Sequence, residues 1–240
     1  MITQKLQAAI ISAADRYETP SFIINDPVQF PHRYSRKTDI EISALLTATI
    51  SFGRRCQILK KAEHLCDLLG SSPTGYIKNR EFEKHFACDD NSSFYRTISH
   101  AFMRSLLEKL WIAYSEDEDL EMHLYRNFEG IPMQRLCSFL KISQHSPQKK
   151  ANMFLRWMIR RDSPVDFGIW NKFNAKDLII PLDTHVLHMA CETGLCPNAS
   201  YSLASAKHIT QILTNIFPDD PVRGDFALFG IGINKEKGAR

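Results

Sequence analysis

The stretch IIPLDTHVLHMA, residues 179–190, decides how the sequence folds, because it places an acidic residue directly before an apolar, helically periodic run. Asp183 is that residue, and Asp is among the residue types preferred at the N-cap of a helix. Its side-chain oxygen can accept a backbone N–H from the first turn, which stabilises a helix by about 1 kcal/mol. The pattern therefore predicts a helix that begins directly after Asp183.

A second stretch, SPQKKANMFLRWM at 146–158, predicts another helix upstream of the first. Pro147 suits the first helical position, where a missing backbone N–H costs nothing. Apolar residues then follow at helical spacing toward Arg161, and they are more typical of a core than of a base-stacking platform. Lys149 and Lys150 are expected in the first turn of this helix.

Helical periodicity extends over nearly the whole chain, and no strand pattern of comparable strength competes with it. Thr38 or Asp39 is the predicted N-cap of one further helix, with Glu41 following in the first turn. The sequence therefore predicts an all-α fold. The other predicted helices cover residues 38–50, 54–70, 94–114, 120–128, 132–140, 202–216 and 219–230.

The composition sets limits on function without choosing one. The 240 residues can form one compact domain or two lobes, and the net charge of +3 is compatible with a polyanionic partner. The six cysteines form no CxxC pair, so neither an iron–sulfur cluster nor a zinc site is expected. No uncharged run approaches the length that spans a bilayer. These features predict a cytoplasmic protein without a metal, cofactor, membrane or obligate protein partner.

Lys149 and Asp183 are the residues that could carry chemistry, although each also has an ordinary structural interpretation. A lysine in the first turn of a helix is usually solvated, and Asp183 could serve only as an N-cap. His185, in the turn that follows, is more often a packed or solvated helix residue than a catalyst.

Both stretches resemble motifs of one family. Residues 180–190 resemble the catalytic aspartate motif of the HhH-GPD (helix-hairpin-helix) superfamily of DNA glycosylases, in which an apolar-Pro-Val-Asp-x-His stretch leads into a helix. Residues 149–152, KKAN, resemble the Lys-x-Ala-Asn/Asp motif at the start of the helix that follows the family's hairpin. Residues 45–51, LLTATIS, are similar to the superfamily's N-terminal helix.

The resemblance implies a single glycosylase-like domain over residues 1–240, with two helical lobes and the active site in the cleft between them. It implies Lys149 as the nucleophile and Asp183 as its acidic partner, with Lys150 and His185 as further candidates. The sequence looks closest to the 8-oxoguanine glycosylase branches and to an uncharacterised bacterial family with the same Lys and Asp. The implied partner is double-stranded DNA that contains a damaged base, with 8-oxoguanine as the first candidate.

The same resemblance suggests DNA-binding and base-binding residues outside the two motifs. Gly53, Arg54 and Arg55 follow the helix that precedes the family's DNA-inserting loop, so an arginine could fill the space of a flipped base; a solvated basic turn is the alternative. Asp225 and Phe229 lie where oxoguanine-type enzymes place a helix that lines the base pocket. Core packing is the alternative for Phe229.

The residue types suit base excision. A glycosylase flips the damaged nucleotide out of the duplex, and an amine can then displace the base and form a Schiff base with the sugar. The amine must be neutral, so its pKa must fall below the usual value for lysine, which a helix N-terminus and the neighbouring Lys150 would favour. A carboxylate at Asp183 would stabilise the positive charge that develops as the base leaves.

One departure from the family favours an alternative. The family hairpin reads Leu-Pro-Gly-Val-Gly, and its glycines let backbone N–H groups approach a DNA phosphate. Residues 141–148 contain no glycine. The alternative is therefore a catalytically inactive, helical nucleic-acid-binding protein of the same fold, and a third interpretation is an enzyme of this fold that acts on RNA or on a free nucleoside.

Overall fold

The computed structural model describes residues 3–197 and 199–238, with side chains up to residue 232. Most of these residues are helical, as predicted, and a two-stranded antiparallel hairpin is added to the helices. The helices are α1 (Gln4–Tyr17), α2 (Pro20–Ile23), α3 (Lys37–Ile50), α4 (Arg55–Leu69), α5 (Pro73–Lys78), α6 (His100–Glu116), α7 (Leu120–Asn127), α8 (Pro132–Leu140), α9 (Lys149–Ile159), α10 (Thr184–Glu192), α11 (Leu203–Thr214) and α12 (Gly224–Gly238). The strands are β1 (Ser93–Tyr95) and β2 (Ile98–Ser99), and single 3₁₀ turns cover Pro27–Gln29, Pro31–Arg33, Glu81–Lys84, Ala175–Asp177 and Pro221–Arg223.

The chain divides into two compact units, each of which is formed by segments that are not contiguous in the sequence. Unit 1 consists of Met1–Ile24, Ile131–Gln134 and Ser143–Arg240. Unit 2 consists of Asn25–Gly130 and Arg135–Ile142. Both stretches that decided the sequence analysis therefore belong to unit 1.

In unit 1, α12 packs closely against both α1 and α10. Two glycines of α12 make this approach possible. A Cβ atom on Gly230 would overlap the ring of Tyr17, and a Cβ atom on Gly232 would overlap the imidazole of His185. The glycines therefore bring the beginning of α10, which carries His185, against α12.

In unit 2, α3 is buried along almost its whole length, and the predicted N-cap of this helix is wrong. The helix begins at Lys37, and neither Thr38 nor Asp39 caps it. Asp39 instead accepts hydrogen bonds from the backbone N and the hydroxyl of Thr74, at 2.7 and 2.6 Å. Thr38 also shares a hydrogen bond of 2.7 Å with the Thr74 hydroxyl. Both polar side chains hold α5 against α3 instead of capping their own helix.

The predicted helix over 94–114 begins six residues later than expected, at His100. Residues 93–99 form the β1–β2 hairpin, whose tip contains Arg96 in the left-handed conformation with φ 53°. Ser99 then caps α6, because its hydroxyl accepts the backbone N–H of Phe102 at 3.1 Å. Phe94, Tyr95 and Ile98 are buried as strand residues and not as part of a helix face.

Two further helix starts differ from the prediction. Pro147 precedes α9 instead of opening it, because Gln148 adopts a left-handed conformation before the helix begins at Lys149. The last helix begins at Gly224 and not at Asp219, since Pro221 opens a 3₁₀ turn before it. In the described part of the chain, no helix is both long enough and apolar enough to cross a membrane.

Candidate active site

The first element of the candidate site is the start of α9. Lys149 is its first residue, and the loop before it is held by Asn152, whose side-chain amide donates a hydrogen bond of 2.8 Å to the carbonyl of Pro147. Lys149 and Lys150 are both half-buried. Burial, and then the charge of Lys149, lowers the pKa of Lys150 to about 8. The structure thus places two amines side by side at a helix N-terminus, as predicted.

The second element is the N-cap of α10, where the structure confirms the predicted helix start. Asp183 has an extended backbone, and its Oδ1 accepts the backbone N–H of Val186 at 2.8 Å. Its backbone carbonyl accepts the N–H of Leu187 at 2.9 Å, the first hydrogen bond of the helix. The cap fixes the carboxylate while leaving it half-buried and not sealed in the core.

Asp225, at the beginning of α12, connects the two elements electrostatically. Its side chain is buried, with the residue only 6% exposed. Burial raises the pKa of Asp225 to about 6, against the opposing charge of Arg156; Asp183 raises this pKa further and Lys149 lowers it. The charges of Lys149 and Asp183 therefore both act on one carboxyl group, so the two distant motifs converge on Asp225.

Arg156, two turns after Lys149 on α9, holds Asp225 in place. Its guanidinium donates a hydrogen bond to Oδ2 of Asp225, and its Nε lies 3.4 Å from Oδ1 of Asp166. The guanidinium also stacks over the Phe226 ring, 4.4 Å from the centroid. No sequence motif singles out this arginine, although a charged residue inside the apolar run MFLRWMI is a signal for a buried, paired cation.

Arg160, one turn further along α9, extends the same set of buried charges. It forms ion pairs with Asp166, with Asp220 at 2.7 Å and with Glu18 at 2.7 Å. We call Arg156, Arg160, Asp166 and Asp225 the arginine network. Because each guanidinium binds two or more carboxylates, the network fixes the face of α9 that carries Lys149 relative to the start of α12.

His185 and Phe229 face each other across α10 and α12, with ring centroids 6.0 Å apart. Phe229 also packs edge-on against Phe22, with the centroids 5.6 Å apart. Both residues are half-buried, and Nε2 of His185 is itself fully buried. His188, by contrast, is exposed, and its Nε2 lies 3.0 Å from a carboxylate oxygen of Glu192.

Tyr201 is a second residue that sequence reasoning missed. It is 53% exposed, an unusual position for a large aromatic side chain. Burial of its hydroxyl raises its pKa, and the charge of Asp183 raises it further. An exposed aromatic ring that lies within electrostatic reach of Asp183 is suited to stacking against a planar ligand. Only its position in the fold, and no sequence motif, reveals this.

The predicted DNA-contacting loop belongs to unit 2. Gly53 has a φ of 95°, a conformation that favours glycine, and a Cβ atom there would lie 2.8 Å from Nη1 of the flexible Arg96 side chain. Arg54 precedes α4 and Arg55 is the first residue of that helix; both are exposed. Their predicted contact with DNA stays a prediction.

The loop between α8 and α9 corresponds to the family's hairpin, and residues other than glycine adopt its left-handed backbone conformations. Lys141 and Gln148 adopt left-handed conformations, with φ of 57° and 46°. These are conformations that glycine usually supplies.

Among the described residues, no group of three or more His, Cys, Asp or Glu side chains could hold a metal ion.

A comparison with family models matches residues 26–234 to the family described as "Protein of unknown function (DUF2400)". No curated protein and no solved structure matches the chain. The match covers α3 to the greater part of α12, and therefore includes Lys149, Asp183 and Asp225.

Proposed function

The chain belongs to the DUF2400 family, and from the geometry of its residues we propose that it is a DNA N-glycosylase with AP lyase activity. The substrate is duplex DNA with a damaged base, and 8-oxoguanine is the first lesion to test. Lys149 acts as the nucleophile, and Asp183 stabilises the positive charge that develops on the sugar.

One observation carries the proposal. Lys149 and Asp183 lie far apart in the sequence, yet the charges of both act on the buried carboxyl group of Asp225. The buried carboxyl group of Asp225 thus relates the start of α9 to the start of α10. Amine attack on a sugar carbon needs a lysine and a carboxylate that act together, and this relationship supports Lys149 and Asp183 in those roles.

In the proposed reaction, the neutral Lys149 amine attacks C1′ of the flipped nucleotide. The N-glycosidic bond breaks, and its electron pair leaves with the base, which gains a proton. One proton of the amine goes to the departing base; the other goes to O4′ as the C1′–O4′ bond breaks and the sugar ring opens, and a Schiff base between the Lys149 nitrogen and C1′ results. The Asp183 carboxylate faces C1′ and stabilises its cationic character, which is greatest at the transition state.

The surrounding residues support these two roles. The N-terminus of α9 and the neighbouring Lys150 amine put positive potential beside Lys149. Asp225 and Phe229 are candidates for contact with the base. Tyr201, exposed near Asp183, offers a ring on which a flipped base could stack.

The test is borohydride trapping. The full chain is incubated with duplex oligonucleotides that carry 8-oxoguanine, uracil or an abasic site, and borohydride is added to reduce any Schiff base to a stable protein–DNA adduct. We expect an adduct with at least one substrate and none with Lys149→Gln. Lys207→Gln, which removes an exposed lysine of α11 in the same unit, is the matched control and should leave the adduct unchanged.

Two outcomes would change the assignment. An adduct that persists in Lys149→Gln but disappears in Lys150→Gln would move the nucleophile by one residue. No adduct with any of the three substrates would contradict the lyase proposal.

The alternative, an inactive nucleic-acid-binding protein, is favoured by the glycine-free loop at residues 141–148. It predicts duplex binding that weakens steeply with salt but is unaffected by Lys149→Gln beyond the loss of one charge. A salt-independent affinity for duplex DNA would count against both functions and would favour a free nucleoside as the ligand.

A further inference from the structure

Unit 2 contains a surface pocket that shares no residue with the lysine–aspartate site. Its volume is about 500 Å³, and it lies between α4 and the β1–β2 hairpin. Lys60, Lys61 and His64 line it from α4, and Ser93 and Arg96 line it from the hairpin. We call this the basic pocket, because Asp and Glu are absent from its lining residues.

The walls of the basic pocket are held in place by packing. The hairpin tip is fixed by the Ser93 hydroxyl, which donates to the carbonyl of Arg96 at 2.8 Å. The Tyr95 hydroxyl donates to the carbonyl of Phe52 at 2.7 Å, which ties the hairpin to the end of α3. On the opposite wall, the Lys61 amine lies 4.1 Å from the centroid of the Phe94 ring.

The lysines and the arginine of the basic pocket differ from other cations of unit 2 in their pairing. Over residues 3–197 and 199–232, no ion pair connects Lys60, Lys61 or Arg96 to an acidic side chain. Other cations of the same unit are paired, such as Arg33 with Glu63 at 2.6 Å and Arg104 with Glu108 at 2.8 Å. The pocket therefore concentrates a positive potential that an anionic ligand would neutralise.

The donor types favour a phosphate over a carboxylate. Two ammonium groups, one guanidinium and an imidazole exceed what a carboxylate can use, whereas a phosphate offers three or four oxygen acceptors and more charge. The volume exceeds that of a phosphate ion and leaves room for an attached sugar. Arg54 and Arg55, exposed at the start of α4 in the same unit, continue the positive surface beyond the pocket.

We propose that the basic pocket binds a nucleotide phosphate group. The phosphate belongs either to the backbone of a nucleic acid or to a free nucleotide. The site provides charge neutralisation and positioning, and no bond is made or broken in it. It does not depend on the lysine chemistry of unit 1, since none of the residues of that site takes part.

The experiment compares binding of four probes to the full chain: inorganic phosphate, thymidine monophosphate, and labelled single-stranded and double-stranded oligonucleotides. The variants are Lys60→Gln and Arg96→Asn. Asn tolerates the left-handed conformation that Arg96 adopts, so the hairpin should keep its shape. Lys84→Gln removes an exposed charge of the same unit outside the pocket and is the matched control.

We expect both pocket variants to weaken binding and to reduce the salt dependence of oligonucleotide binding by about one counterion each, relative to Lys84→Gln. Weakening for all four probes would identify a site for free phosphate groups, and weakening for oligonucleotides alone would identify a backbone site; both support the proposal. It is overturned if no probe binds, or if both pocket variants behave like Lys84→Gln with every probe.

Borohydride trapping in the same variants separates this proposal from the proposed function. If the parent chain forms no adduct but Lys60→Gln weakens oligonucleotide binding, the basic pocket is supported and the lysine chemistry is contradicted. An adduct that forms equally in all variants, with unchanged affinity and salt dependence, retains the chemistry and excludes the pocket.

Discussion

Arg156 and Asp225 form a buried ion pair between α9 and α12, in which the guanidinium donates a hydrogen bond to Oδ2 of the carboxylate. Arg156 is 5% exposed and Asp225 is 6% exposed, so neither charge is solvated. The pair connects the helix that begins at Lys149 with the carboxyl group on which the charge of Asp183 acts. The position of Lys149 on α9 therefore depends on a buried ion pair, and water could not solvate either charge if its partner were removed.

Removing the cation of this pair should be costly. We expect Arg156→Met to lower the free energy of unfolding by about 3–5 kcal/mol, because the buried carboxylates of Asp225 and Asp166 lose their shared partner. Arg33→Met, which breaks the exposed pair with Glu63, should cost no more than about 1 kcal/mol. Urea unfolding of both variants is the measurement. A loss below 1 kcal/mol for Arg156→Met would contradict the described pairing.

Asp225 should make stability depend on pH in a direction opposite to that of most aspartates. Its folded pKa of about 6 lies above the ordinary value, so the folded state keeps a proton that the unfolded state releases near pH 4. The free energy of unfolding should therefore fall as pH rises from about 4 to about 6. Asp225→Asn should flatten this part of the profile. Denaturant unfolding at several pH values tests it, and an identical slope in the variant would show that other groups cause it.

Local signals in the sequence predicted the parts of the fold that depend on local interactions. The start of α10 follows from Asp183, and α8 spans the predicted residues 132–140, because N-caps and Gly-Pro punctuation act within a few residues. The β1–β2 hairpin was missed since its tip uses Arg96 in a left-handed conformation, where a glycine or asparagine would have signalled a turn.

Long-range interactions account for the other differences. Asp39 looked like an N-cap, but its carboxylate binds Thr74, and no property of either sequence position announces that contact. For the candidate site, the motifs predicted Lys149, Asp183 and Asp225 as separate candidates. Their electrostatic relationship, and the role of Arg156 in holding Asp225, depend on the contacts of the Arg156 side chain with the start of α12, which periodicity alone does not encode.

The two roles of Asp183 can be separated by choosing substitutions that keep or remove the cap. Asp183→Ser retains a capping oxygen and should leave stability nearly unchanged, whereas Asp183→Ala should cost about 1 kcal/mol. Ser202→Ala, which removes the cap of α11, is the control for the loss of a cap alone. We expect both Asp183 variants, but not Ser202→Ala, to slow adduct formation by about 100-fold or more. Full adduct formation in Asp183→Ser would reduce Asp183 to a structural cap.

Close packing of α1 against α12 predicts a large effect from one methyl group. Gly230→Ala should destabilise the protein by about 1–3 kcal/mol, because the added Cβ overlaps the Tyr17 ring in a packed interface. Gly194→Ala is the control: this glycine has a φ of 76° but open space around it, so only the backbone cost of about 1 kcal/mol applies. Thermal unfolding compares the stability of the two variants. Adding Tyr17→Leu should restore part of the lost stability to Gly230→Ala but none to Gly194→Ala. Equal losses without rescue would contradict the close approach.

The last prediction concerns the amine beside the candidate nucleophile. Burial and the charge of Lys149 lower the pKa of Lys150 to about 8, so about half of its side chains should be neutral at that pH. Lys149→Gln removes one of the two causes, and the pKa of Lys150 should therefore rise in that variant while remaining below the ordinary value for lysine.

Nuclear magnetic resonance titration of the lysine side-chain methylene groups measures both values, with the exposed Lys207 as an internal reference. Because the folded pKa of Lys150 lies below its unfolded value, this residue also predicts that the free energy of unfolding increases as pH rises from about 8 toward 10.5, with the increase lost in Lys150→Met. If Lys150 titrates together with Lys207, it is solvated and cannot substitute for Lys149. If it titrates near pH 8 in both the parent chain and Lys149→Gln, burial alone sets its pKa, and Lys150 becomes the stronger candidate for the nucleophile.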